Sequence, residues 1–263
     1  MTADYDPLVA PPPDEVPLPK APLVRVIAQV KFSLIPSIDQ PEFIGPFQEA
    51  IRETNPSLRQ ERMVVGPQGP APVQEHVAWR FSDIEEEWRV SLAPEFLALE
   101  TTAYTSRQDF LARLQAAIEA LHVHIKPAAL ERLGLRYIDR VADDALEEIT
   151  RLVQPEVLGI LASPLADRAS HSLCETLFDL PNDHEKLLAR WGRIPVNGTV
   201  DPAAIEPLPQ ASWILDLDMF SNKRRMFLPD DIVADAERYA ERLYTFFRWV
   251  VTDDFLARYG GTP

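Results

Sequence analysis

The chain has a single cysteine, Cys174, so it can form no internal disulfide and, by itself, no cysteine-based zinc site. That scarcity suits a reducing cytoplasm, which is the expected location. No apolar run approaches the roughly 18 residues a spanning helix needs, and the opening MTADYDPLVAPPPDEVPLPK lacks a basic segment ahead of an apolar core. No membrane association is expected. Positive charge is short as well: 26 Lys and Arg face 41 Asp and Glu, a formal net charge of -15, which disfavours non-specific binding to nucleic acid or anionic lipid. The chain has no G-x-S-x-G elbow, no P-loop and no dinucleotide fingerprint, so no catalytic set and no cofactor is expected. Cys174, within HSLCETLF and with His171 on the opposite parity, reads as a buried structural thiol.

What is present is globular usage, 46% apolar and 25% charged residues. Seven of the first 22 residues are proline, interspersed with Asp4, Asp6, Asp14 and Glu15, which predicts an extended proline-rich tail over 1–22 and one globular domain over 23–263. LVRVIAQVKF alternates as a half-buried strand with Arg25, Gln29 and Lys31 on its polar face. EFIGPFQEAIRET follows as a helix that stops before Pro56. Beyond the loop GPQGPAP, the segments HVAWRFS, EEWRVSLA and EFLALETTAY predict three strands of an antiparallel meander, with Glu85, Glu86 and Glu87 as solvated turn charge. The helix SRQDFLARLQAAIEALHV carries the apolar stripe Phe110, Leu114, Ala117, Ile118 and Leu121.

The later elements repeat that order. ALERLGLRYIDRV predicts a strand, ALEEITRLV a short helix, HSLCETLF, KLLARWGRI and ASWILDLDMF three strands, and DIVADAERYAERLYTFFRWVVTDDFLARYG one long closing helix. The predicted class is α+β: an antiparallel sheet with helices packed on one face, in two similar strand-helix-three strands-helix lobes over 23–125 and 129–260.

Several constellations bear on function. LETTAYTSRQDF runs from a strand into a helix, and either Thr105 with Gln108 or Ser106 with Asp109 can form a capping box; the alternative use of Thr101, Thr102, Tyr104 and Ser106 is to hold an anion at the helix start. Arg132, Arg136 and Arg140 share one strand parity, with Leu133, Leu135, Tyr137 and Val141 on the other. Arg89 with Ser91, Glu100 with Thr102 and Asp216 with Asp218 share parities in the same way, so a charged sheet face is expected. It is either a solvated floor of cross-strand ion pairs or a recognition surface, since guanidinium forks bind carboxylates and phosphates. Asp216 and Asp218 are also the candidate pair for a divalent metal, with flanking Trp213, Leu215 and Leu217 explaining the pattern equally as core. His122 and His124 face different ways on a helix and make no zinc site, and His76, His171 and His184 stand apart. The closing helix aligns Tyr239, Leu243, Phe246, Phe247 and Val250, extended by Tyr244 and Trp249 with Arg248 alongside, a stripe broad enough to serve a homodimer interface as well as a core.

The blocks PLVRVIAQVKF, WRVSLAPEFLALETTAYTSRQDF, ERLGLRYIDRV, WILDLDMF and FFRWVVTDDF, in that order, resemble an uncharacterised family distributed sporadically through bacteria and archaea. The resemblance covers nearly all of the chain past the tail. It implies no catalytic residues, and patchy distribution implies mobile modules such as defence or toxin-antitoxin loci. The expected function is therefore a non-catalytic binding protein that engages an acidic or protein partner through Arg132, Arg136, Arg140, Arg25, Lys31 and Tyr104. The alternative is a metal-assisted enzyme acting on a phosphorylated small molecule or nucleotide through Asp216 and Asp218.

Overall fold

The computed structural model describes residues 5–65, 74–182 and 184–262; GPQGPAP lies outside them. Strand β1 (Leu23–Phe32) buries Val26, Ala28, Val30 and Phe32 in the expected alternation. Helix α1 (Pro41–Ile51) opens on a proline, whose fixed φ suits a first helical turn, and buries Ile44, Phe47 and Ile51. Strands β2 (Ser57–Val65), β3 (Gln74–Ser82), β4 (Trp88–Ala93) and β5 (Phe96–Thr101) form an antiparallel meander that pairs back onto β1 through β5. Three strands were expected there and four exist. The additional one, β2, is a sheet edge whose residues 57–62 are all exposed, so it carries no period-2 burial signal.

Helix α2 (Arg107–Ala120) starts on Ser106, whose hydroxyl accepts from the Asp109 amide at 3.1 Å, while the Thr105 hydroxyl donates to the Asp109 carboxylate at 2.9 Å. The expected stripe from Phe110 to Leu121 is buried. Strand β6 (Ala129–Val141) follows, then three short helices, α3 (Asp144–Glu147), α4 (Ile149–Leu152) and α5 (Pro155–Leu158), where one was expected. Strands β7 (Ser172–Asp179) and β8 (Glu185–Ile194) make an antiparallel hairpin; β9 (Ser212–Ser221) and the two-residue β10 (Arg225–Met226) complete a ten-stranded antiparallel sheet.

The closing segment is two helices, α6 (Pro229–Val250) and α7 (Asp253–Arg258), instead of one. Thr252 ends the first and caps the second, its hydroxyl accepting from the Phe255 amide at 3.3 Å, and Val251 bridges to Val153. Among the described residues no helix is long and apolar enough to cross a membrane.

The chain divides into two interleaved compact units. The meander unit comprises Val26–Leu135 and Phe220–Arg238. Its helices close over the meander, with Phe47 edge-on to Phe81 at 5.6 Å between centroids and Trp88 at 5.9 Å from Phe110. The hairpin unit comprises Met1–Arg25, Arg136–Met219 and Tyr239–Pro263. There Phe246 packs on Phe178 at 5.6 Å, and Tyr239, Leu243 and Val250 are buried beside it.

The proline-rich segment lies along α6. Proline removes amide donors and leaves carbonyls free, and Arg242 Nη1 donates to those of Pro7 and Ala10 at 2.7 and 2.8 Å. The Tyr244 hydroxyl accepts from the Val16 amide at 2.8 Å and donates to the Asp14 carbonyl at 3.3 Å.

Cys174 corrects an expectation, for it is exposed. Strand β7 is the other edge of the sheet, so neither of its faces is fully covered, and Leu173 and Leu177 are exposed beside the thiol.

Candidate functional site

Strand β6 is continuous from Ala129 to Val141, and the three arginines of equal parity lie along it. Arg132 belongs to the meander unit. Its guanidinium rests over the Phe220 ring at 4.7 Å and Nη1 donates to Gln29 Oε1 at 3.2 Å. It lies over Gly134, where the absence of a Cβ leaves room for the guanidinium. Lys31 and Tyr104 also belong to this unit; Lys31 is half-buried opposite Phe96 and Tyr104 stacks obliquely toward Phe110 at 6.1 Å.

The hairpin unit concentrates the chemistry. Arg136 grips Asp216 with both ends of its fork, Nε to Oδ1 and Nη2 to Oδ2 at 2.7 Å each, and reaches Asp201 Oδ2 with Nη1 at 2.7 Å. Asp216 is only 1% exposed, and Arg190 Nη1 adds a third donor at 3.2 Å while its Nε holds Glu175. Both oxygens of Asp216 thus accept from guanidinium groups, so arginine supplies the positive charge a divalent ion would have supplied. Asp218 lies half-buried two residues on. Among the described residues no group of three metal-ligating side chains comes together. Burial alone would lower the pKa of Arg136, but its carboxylate partners outweigh that and raise it; the same competition raises Arg190. Burial likewise pushes the Asp201 carboxyl up, and the hydrogen bond and charge of Arg136 hold it below the usual carboxylate range.

Arg140 differs from Arg136. It is 8% exposed, its Nε donates to Ser212 Oγ at 2.9 Å, and Nη1 donates to the Glu206 carbonyl. Nη2 is buried with no hydrogen-bond partner. Among the described residues no carboxylate pairs with this guanidinium, and burial lowers its pKa. Beside it, facing the other way, Asp139 is 7% exposed and, among the described residues, takes part in no ion pair, and burial pushes its carboxyl up to about 7. Sequence reading passed over Asp139, although a carboxylate at a core parity between Tyr137 and Val141 was a visible signal.

The arginine face of this unit is not open. The connection from β8 to β9, residues 195–211, folds across it. Asp201 occupies Arg136, the Glu206 carbonyl occupies Arg140, and the Ala203 carbonyl meets Arg25 Nη1 at 3.5 Å. Within the connection, the Asn197 amide donates to the Leu208 carbonyl at 2.7 Å and the Thr199 hydroxyl to the Ile205 carbonyl at 2.6 Å, while Ala204 and Ile205 are buried. No family model matches the chain, and no curated protein matches it.

Proposed function

We propose that this protein is a non-catalytic binding protein and that the arginine face of its hairpin unit, Arg136 and Arg140 above all, engages an acidic partner. The observation that carries this reading is Arg140, a buried guanidinium that, among the described residues, is left without a counter-charge and with one donor unused. Burying an uncompensated charge costs several kcal/mol in a typical protein, so a fold that keeps one is holding it for something that supplies the charge. The bidentate grip of Arg136 on Asp216 keeps the neighbouring fork oriented. A place among mobile defence or toxin-antitoxin modules is part of the same proposal. The metal-assisted enzyme has less support, because both oxygens of Asp216 already accept from Arg136.

A peptide array of acidic and phosphorylated sequences tests the reading. The unsubstituted chain is expected to bind acidic spots weakly, and Arg140→Gln to lose them with its melting temperature within a few degrees. Retention of the same spots by Arg140→Gln overturns the reading.

A further inference from the structure

The connection 195–211 treats the two arginines unequally. It gives Arg136 a carboxylate, Asp201, at 2.7 Å, yet it offers Arg140 only a neutral carbonyl, that of Glu206, and leaves Nη2 empty-handed. An occupant with a carboxylate at each position would satisfy the face better than the connection does. A buried guanidinium gains far more from an anion than from a neutral acceptor, since charge-assisted bonds are roughly twice as strong.

We propose that residues 195–211 are a displaceable internal strap, and that the partner is an extended acidic segment of a protein carrying two carboxylates about four residues apart, which takes the place of Asp201 on Arg136 and supplies Arg140 with its missing charge. The inference rests on the binding function proposed above and adds the partner's form and its control. The spacing comes from β6 itself: side chains four residues apart on a strand are roughly 13 Å from each other, which an extended peptide matches with acids at the same interval. A protein segment fits better than a nucleic acid, because the chain's net charge of -15 repels a polyanion at long range while short-range contacts still hold a few carboxylates. The strap is tethered, so it competes at an effective concentration in the millimolar range, and an outside peptide binds well only when it pairs both arginines or when the strap is weakened.

The probe is a fluorescein-labelled peptide of residues 197–210 carrying Ile205→Asp, which sets a second acid four residues after Asp201. Fluorescence anisotropy with the full chain is expected to show at least tenfold tighter binding to the Asp201→Asn chain than to the unsubstituted one. Adding Arg140→Gln, or Arg140→Lys should the first lower the melting temperature, is expected to erase the gain. Hydrogen exchange at the Ile205 amide, which donates to the Asp201 carbonyl at 2.8 Å, is expected to speed up in Asp201→Asn. Equal affinity of the two chains, lost in both with the Arg140 substitution, overturns the strap and leaves the arginine face as a binding surface. Faster exchange with no peptide bound by either chain overturns the strap and the face together, and unchanged exchange at Ile205 overturns the strap.

Discussion

In the meander unit Arg89 lies across from Glu100 in register, and Arg80 reaches Glu61 on one side and Ser91 on the other, with the Glu61 side chain 51% exposed. In the hairpin unit Arg136, Arg140 and Arg190 meet Asp216, Asp201, Ser212 and Glu175, and Asp216 is all but sealed from water. The residue types are the same; the surroundings differ. Short turns join β3 to β4 and β4 to β5, and the Arg89 and Glu61 side chains stay 36% and 51% exposed, whereas the long β8 to β9 connection has enough chain to fold back. Covering a charged face turns cheap surface pairs into expensive buried ones, so the position of a connection decides whether an arginine is decoration or commitment.

Breaking one pair in each unit sharpens this contrast most. Arg136→Ala leaves Asp216 buried with only Arg190, and urea denaturation is expected to show a loss of roughly 3–5 kcal/mol. Arg59→Ala in the meander unit, which breaks the exposed pair with Glu86, is expected to cost under about 1 kcal/mol by the same measurement.

Asp139 gives a comparable effect that depends on pH. Its folded pKa of about 7 lies above the ordinary 3.8, so the unfolded chain ionises first as pH rises; stability falls across that window and the full penalty is present above pH 7. Asp139→Asn removes the penalty, and the variant is expected to gain up to about 4 kcal/mol on the unsubstituted chain at pH 8 and almost nothing at pH 4. Asp201 works in the opposite sense. Its pKa is held down, so the stability it contributes is present above the usual carboxylate range and is lost as pH falls through its lowered value.

Smaller effects belong to sites outside the comparison. Ser106→Ala removes the cap of α2 and is expected to cost about 1 kcal/mol in thermal denaturation. Cys174→Ser is expected to change stability by less than about 0.5 kcal/mol, and a maleimide is expected to label Cys174 in the folded chain.

Legibility in the sequence followed burial. The alternation of β1 and the stripe of α2 each have one covered face, so their patterns stood out and the structure has them where the residues said. The α+β class followed from such elements. Strand β2 was missed because an edge strand with exposed residues on both faces has no hydrophobic period, and Cys174 was misplaced because strand character does not reveal which strand ends the sheet. The parity of Arg132, Arg136 and Arg140 was readable. What covers two of them was not: PVNGTVDPAAIEPLPQ has no periodicity, and its contacts with β6 join positions far apart in the chain.

The interleaving of the units reaches back to synthesis. Neither can close until α6 has been made, since that helix contributes its first half to one and its second half to the other. A nascent chain that has just emerged through β9 therefore carries two unfinished cores at once, with the aromatic and aliphatic residues of both still seeking cover, until one helix supplies both and α7 adds Phe255 and Leu256 to the second.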